Sequence, residues 1–327
     1  MARKINWEDQ IGRRLKLRDL HVLSTVAQRG SMAKAAAHLG VSQPAVSEII
    51  SDLEHALGVR LLDRSQRGVE PTIYGRVLIE RTQAAFDELK QGIQTIEHLV
   101  DPSVGEVRIG CSESLVSAIL APVIPSFSLR YPRVRLHVED VLHSTPDMPE
   151  LRSRKLDIIL IRPLKLREAP DDEFETELLV DDEMVVAAGA RNRWARRRAV
   201  DVAELVQEPW ILPPRNSWNY KTVEQALQAR GFSMPEVCVT TFSVHLRNDL
   251  LATGRFVTAY PKSFMRVNGD RFGLKILPVD LPMKAWPIEI ITLKHRTPNP
   301  AVQRFIEHVR DFAKSIAEES KNEKQSA

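Results

Sequence analysis

Ser42, Gln43, Pro44, Ser47 and Glu48 gather at the head of one amphipathic segment, and their types suit reading the edge of another polymer. The segment runs from Gln43 to Leu57. Its apolar positions Val46, Ile49, Ile50, Leu53 and Leu57 follow the i, i+3, i+4, i+7 rhythm of a helix with one buried face. The polar set therefore lies outward, near the helix N-terminus. Short polar side chains, with a glutamine able to pair bidentately with adenine, fit the floor of a DNA major groove. Unpaired first-turn amides and the positive end of the helix dipole fit a phosphate. An ordinary capped helix with a solvated face carries the same residues, and the segment alone leaves both readings open.

Other chemistry finds little support. The chain contains no G-x-S-x-G, H-E-x-x-H, C-x-x-C, P-loop or G-x-G-x-x-G pattern, and its nine histidines form no ligand pair. Cys111 ends an apolar strand-like run and is a conceivable nucleophile, but nothing in the sequence supplies its base. With only Cys111 and Cys238, far apart in the chain, neither a disulfide framework nor a structural zinc site is expected, and a reducing cytoplasm fits. Thiol sensing would need an exposed cysteine pair of low pKa. The expectation is a non-enzyme without metal or cofactor.

The elements that position these residues belong to more than one domain, since 327 residues exceed one typical domain. No run of about 18 apolar residues offers a membrane span. Met1 to Lys16 is mixed in charge and lacks the apolar region of a secretory signal. Residues 1–76 hold twelve Lys/Arg against eight Asp/Glu, so a net +4 sits there while the whole chain carries +3. A basic module on a neutral remainder points, weakly, to a polyanion partner.

Leu17 to Arg29 reads as a helix with Leu20, Leu23 and Ala27 on one face, closed by Gly30. Ser31 caps a second helix, Met32 to Leu39, whose alanines permit close packing and which Gly40 ends. Only Val41 separates that glycine from the next cap, Ser42: a helix-turn-helix spacing. Pro44 is tolerated in the first turn of the third helix. After Gly58, the segments 59–64 and 69–72 read as a small hairpin around Ser65-Gln66-Arg67-Gly68. Arg64 and Arg67 near its tip are placed for phosphates or a minor groove.

The run AAAHLGVSQPAVSEIISDLEHALGVRLLDRSQRGVEPTIYG resembles the DNA-binding signature of the LysR family of transcriptional regulators. The alanine pair, the SQPAVS helix start, L-E-x-x-L-G, the L-x-x-R wing strand and the P-T-x-x-G exit all stand at matching offsets. Glu48 departs from the Arg or Lys of many members, and a carboxylate there either accepts from cytosine N4 or faces solvent. The resemblance implies a multi-domain fold. An α-rich winged helix-turn-helix domain at 17–76 follows an extension at 1–16. A linker and dimerisation helix with a hinge spans 77–104. An α/β two-lobed effector domain at 105–310, similar to periplasmic binding proteins of type 2, comes next. Residues 311–327 would complete the last helix and then form a solvated tail from Ala317. The DNA-binding set is then Ser31, Lys34, Ser42, Gln43, Pro44, Ser47, Glu48, Arg64 and Arg67.

In the linker, Leu78, Ala85, Gly92 and Leu99 recur at seven, as do Ile79, Phe86, Ile93 and Val100, with Leu89 and Ile96 between. Such a stripe wants a partner helix; docking on its own domain is the alternative, and the resemblance favours pairing between subunits. From Glu106 the texture alternates strand and helix, and the elements GEVRIG, YPRVRL and LDIILI resemble the LysR effector domain. Lobe 1 would take 105–179 plus 281–310, and lobe 2 180–280. The effector would lie between them, at strand C-termini and helix N-termini. Ser112, Ser114, Arg162, Asn216, Ser217, Trp218, Ser243 and Thr258 are the candidate contacts. Arg162 favours a carboxylate, Trp218 a stacked sugar or aromatic acid, and Ser243 and Thr258 are expected in lobe 2 loops.

The expected partners are a double-stranded promoter inverted repeat, a small-molecule effector (a carboxylate-bearing metabolite or a sugar), further copies of the chain as homodimer or homotetramer, and RNA polymerase. No membrane is expected. A transport-type binding protein would match the C-terminal half alone, and the N-terminal module counts against it.

Overall fold

The computed structural model describes residues 15–65, 68–101, 103–141, 148–163 and 172–325, and the chain divides into two compact units, Met1–Ile93 and Gln94–Ala327. In the first, helices α1 (Leu17–Arg29), α2 (Met32–Leu39) and α3 (Gln43–Leu57) enclose Leu23, Val26, Ala35, Val46, Ile50 and Leu53, all fully buried. The inward face of α1 is Val22, Leu23 and Val26, with Leu20 only partly buried. Ala35 and Ala36 let α2 approach its neighbours closely. Gly30 and Gly40 end the first two helices in the left-handed region, where a side chain would be strained.

The hairpin β1 (Leu62–Ser65) and β2 (Gly68–Pro71) is antiparallel, with Arg64 opposite Val69. Three motif residues hold it. The Glu54 carboxylate accepts the amides of Leu61 (2.7 Å) and Leu62 (3.1 Å), pinning the strand entrance to α3. Thr72 donates its hydroxyl to the Arg60 carbonyl (2.8 Å) and accepts the Gly75 amide (3.1 Å). A β-carbon on Gly75 would stand 2.0 Å from the Leu61 carbonyl oxygen, so only glycine fits this exit. The Val69 amide then donates to the Gly30 carbonyl (2.9 Å), seating the wing on the turn after α1.

Helix α4 (Ile73–Val100) divides the two readings of its stripe. Leu78 and Ile79 pack on the three-helix core, and Phe86 meets His21 edge-on at 5.9 Å. Beyond them Leu89, Ile93, Ile96, Leu99 and Val100 are 50–82% exposed. Thr82, Asp87 and Gln91 are buried as well, so the uncovered apolar stripe is confined to one face of the helix from Leu89 onward.

The second unit begins with β3 (Val104–Cys111), a helical turn at Glu113–Leu115, a π-turn at Val116–Leu120 and α5 (Ala121–Arg130). The π-turn falls just before Pro122, whose missing N–H and bulky ring interrupt the α ladder. Then come β4 (Arg133–Asp140), α6 (Pro149–Arg152), β5 (Ile158–Ile161) and β6 (Phe174–Asp182). The chain continues with β7 (Met184–Gly189), α7 (Val202–Leu205), β8 (Trp210–Leu212), α8 (Trp218–Ala229) and β9 (Val237–Thr240). It finishes with α9 (Val244–Ala252), β10 (Val257–Pro261), α10 (Lys262–Asn268), β11 (Leu274–Ile276), β12 (Trp286–Leu293) and α11 (Pro300–Gln325).

Two five-stranded sheets result, ordered β4-β3-β5-β12-β6 and β11-β7-β10-β8-β9. In the first, β3 runs parallel to β4 and β5 while β12 is antiparallel to β5 and β6. In the second, β8 is parallel to β9 and β10, and β7 is antiparallel to β10 and β11. The chain crosses between sheets twice, from Asp182 to Met184 and between Ile276 and Trp286. The first crossing falls three residues beyond the expected lobe boundary, because β6 pairs with β12 as far as Asp182. Helix α11 covers the first lobe through Ala301, Val302, Phe305, Val309, Ala313 and Ile316, and it runs to Gln325. The expected tail from Ala317 is therefore corrected: Ile316 is still a buried position, and the helix continues past it.

Candidate functional site

The first unit presents the predicted recognition surface at the start of α3. The Ser42 hydroxyl accepts the Ala45 amide (3.4 Å), so it serves as the helix cap, and Gln43, Pro44 and Glu48 stand exposed beside a half-buried Ser47. Ser31 likewise caps α2, accepting the Lys34 amide (3.5 Å), while the Lys34 side chain is exposed. Arg64 projects from β1 into solvent; Arg67 lies outside the described residues. An exposed glutamine at the N-terminus of a helix buried on its other face, with a cationic wing beside it, can enter a groove and grip phosphates.

The second unit contains a pocket of about 110 Å³ where its two lobes meet. The C-terminal ends of three strands, two from the first sheet and one from the second, open onto it: Ser112 after β3, Arg162 after β5 and Pro213 after β8. Ser114, Asn216, Ser217 and Trp218 also line it, so the structure brings six of the eight expected contacts together. Ser112 and Ser114 lie 3.5 Å apart, hydroxyl to hydroxyl. Ser217 caps α8, accepting the Tyr220 amide (3.3 Å).

Two candidates fall elsewhere. Ser243 caps α9, its hydroxyl accepting the Leu246 amide (3.3 Å), and it does not line the pocket. Thr258 is not in a loop but inside β10, fully buried. Its hydroxyl donates to the Ile211 carbonyl (2.6 Å) and so stitches two strands together.

Two of these six are already engaged within the fold, although the Arg162 Nε has no hydrogen-bond partner. Arg162 is held in a buried ion pair with Asp182, and its guanidinium also donates to Ser114 (3.4 Å) and Ser263 (3.3 Å). Ser263 in turn gives its amide (3.0 Å) and hydroxyl (2.6 Å) to Asp182. Since Ser263 belongs to the second lobe, the cluster ties the lobes behind the pocket and leaves Arg162 little net charge for a ligand. Trp218 is equally committed. It stacks with Trp286 at 5.8 Å and 14°, and the Arg162 guanidinium stands 5.6 Å from its centroid. It forms a wall of the pocket rather than a free stacking platform.

The sequence pattern did not point to Arg247, Glu113 and Asn219, which also line this space. The Glu113 carboxylate accepts the Val244 amide (2.8 Å), a second tie between lobes at the head of α9. Arg247 is 2% exposed, and its Nε and Nη1 have no hydrogen-bond partner. Its guanidinium lies over the Tyr260 ring at 4.2 Å, and burial lowers its pKa against the opposing pull of Tyr260 and Glu113. Cys111, meanwhile, is fully buried and burial pushes its thiol pKa up, the reverse of an activated nucleophile. Among the described residues no group of three or more His, Cys, Asp or Glu could hold a metal ion, and no helix is long and apolar enough to cross a membrane.

Comparison with known proteins covers both units. Residues 17–76 match the family model described as "Bacterial regulatory helix-turn-helix protein, lysR family", and residues 101–314 match "LysR substrate binding domain". The chain is 26% identical over 301 residues to the HTH-type transcriptional regulator GbpR of Azospirillum brasilense, covering 91% of this chain and 86% of that protein. It is 28% identical over 249 residues to the regulator TdcA of Escherichia coli strain K12, covering 75% and 77%. In structure it resembles CbnR, a LysR family transcriptional regulator, with a TM-score of 0.60 at 20% identity over 91% of this chain and 99% of that one. A full-length OxyR from Pseudomonas aeruginosa, carrying a cysteine-to-aspartate substitution, gives 0.62 at 21% identity over 91% and 94%. Full-length CbnR complexed with its target DNA gives 0.52 at 21% over 91% and 100%.

Proposed function

The chain belongs to the LysR family of DNA-binding transcriptional regulators, and from that premise we propose that it grips a promoter inverted repeat as a homodimer or homotetramer and answers a small molecule bound between its effector lobes. One observation carries the reading: the same chain has both an exposed polar recognition face at the head of α3 and a pocket at the C-terminal ends of strands from both lobes of its second unit. Phosphate contacts from Lys34, Arg64 and Arg67 supply affinity and register, and Gln43, Ser47 and Glu48 supply base choice. The CbnR complex with its target DNA supports the mode of binding by analogy of fold. The exposed stripe Leu89, Ile93, Ile96 and Val100 supports pairing through α4, which would set the distance between two recognition helices.

The cleft is the regulatory input. Glu113 to Val244 and Arg162–Asp182–Ser263 already tie the lobes, so a ligand acts by favouring one arrangement of these ties over another. Only differential affinity for two states shifts an equilibrium, and the shift is read as a change in spacing or bending at the promoter. RNA polymerase is the onward partner in this reading, and a cytoplasmic location follows from acting on promoter DNA.

Gln43→Ala tests the reader. Losing a bidentate base contact is expected to cost about 1–3 kcal/mol of discrimination at one base pair, with the salt dependence of binding nearly unchanged. Competition binding against a library of single-base operator variants measures it. An unchanged preference at every position removes Gln43 from the recognition set.

A further inference from the structure

The inter-lobe pocket contains a buried cation with two nitrogens that the fold leaves without an acceptor. Arg247 sits on the inward face of α9, at 2% exposure, and lines the pocket. Its Nε and Nη1 find no acceptor; on the same pocket wall Arg162 also leaves its Nε without one, but both its Nη atoms are bonded, to Ser114 and to Asp182 and Ser263. The Tyr260 ring covers the face of the Arg247 guanidinium, and a ring face satisfies charge but not N–H donors. Glu113 is the carboxylate that acts on it electrostatically, but Glu113 accepts the Val244 amide instead. A buried donor without an acceptor costs free energy that a bound acceptor would return.

The surroundings select the acceptor. The twelve-residue helix α8 begins at the same pocket, where Ser217, Trp218 and Asn219 line it, so its positive end favours negative charge there. Val141, Leu160, Ile161 and Phe242 contribute an apolar part of the wall beside the polar Ser112, Ser114 and Asn216 and the Glu113 carboxylate held by Val244, and that apolar part strengthens an ionic contact.

We propose that the cleft takes a small carboxylate and that Arg247 is its anchoring residue, donating charge-assisted hydrogen bonds to the carboxylate oxygens. The assignment rests on the reading of this pocket as the effector site, and it moves the anion contact from Arg162, whose two Nη atoms the fold engages, to Arg247.

The test is thermal unfolding of the full-length protein and of Arg247→Met and Arg247→Lys. The probes are acetate, succinate, benzoate and 4-hydroxybenzoate, each beside its neutral amide, with D-galactose as a neutral sugar. At least one carboxylate is expected to raise the wild-type midpoint where its amide does not. That response should weaken at least tenfold in apparent affinity in Arg247→Met and survive in part in Arg247→Lys. Without ligand, Arg247→Met should melt at or above wild type, since it removes a buried, unbonded charge. Three results overturn the proposal. In one, Arg247→Met and Arg247→Lys both melt well below wild type without ligand. In another, amides or galactose stabilise wild type and both substituted proteins alike. In the third, every carboxylate stabilises Arg247→Met as much as it stabilises wild type, or stabilises neither. A carboxylate that binds through Arg247 yet leaves the footprint on operator DNA unchanged would support the anion site while removing its role as effector input.

Discussion

Asp182→Ala is expected to lower the stability of the effector unit by about 3–5 kcal/mol, the cost typical of leaving one partner of a buried ion pair alone. Arg162 and Asp182 have side chains 3% exposed, and the same carboxylate takes the amide and hydroxyl of Ser263. Removing it strands a guanidinium and two further donors at once. For a unit of this size the loss corresponds to roughly 6–20 °C in midpoint. The double variant Arg162→Met with Asp182→Leu should recover much of that loss, because apolar replacement of a whole buried pair is often neutral or better. Scanning calorimetry on wild type, the single variant and the double variant decides it. A midpoint for Asp182→Ala within a degree or two of wild type would mean that the cluster is not a structural tie between the lobes.

The second large effect concerns assembly. Leu89, Ile93, Ile96 and Val100 recur at intervals of four and three along α4 and stand exposed. Ile93→Glu with Ile96→Glu is therefore expected to cost the single chain little while burying two charges in any helix pair. Light scattering should show the mass falling toward one chain, or toward half the wild-type assembly, with helical circular dichroism unchanged. Operator affinity should fall about 10²–10⁴-fold, since two linked recognition helices bind with avidity that one lacks. An unchanged mass would place self-association elsewhere on the molecule.

Much of the first unit was legible because its punctuation is local. Gly30, Gly40, Ser31 and Ser42 mark helix ends by backbone chemistry alone, and the structure places them at caps. The motif residues Glu54, Thr72 and Gly75 carried a resemblance before they carried a reason. Their bonds to Arg60, Leu61 and Leu62 supply that reason, yet they join residues brought together only by folding of the hairpin onto α3. The pocket was legible as a place, at the ends of β3, β5 and β8, but its electrostatics were not. Arg162 looked available because its partner Asp182 is twenty residues away in a strand whose pairing cannot be read locally. Arg247 left a fainter signal. Val244, Arg247, Asn248 and Leu251 are the buried positions of α9, spaced i, i+3, i+4 and i+7, so two polar residues occupy an inward face. Reading polar as outward hides them. Thr258 is the converse: its position suggests a ligand contact, whereas its hydroxyl belongs to the bonding between strands.

The central claim is sequence-specific DNA binding by the face around Gln43, and the most direct test is selective enrichment of genomic DNA fragments on the purified protein, followed by sequencing and footprinting. The expected result is recovery of a short inverted-repeat site whose footprint spans two half-sites on one face of the duplex. Uniform, salt-sensitive retention of all fragments, with no shared motif and no footprint, would contradict it.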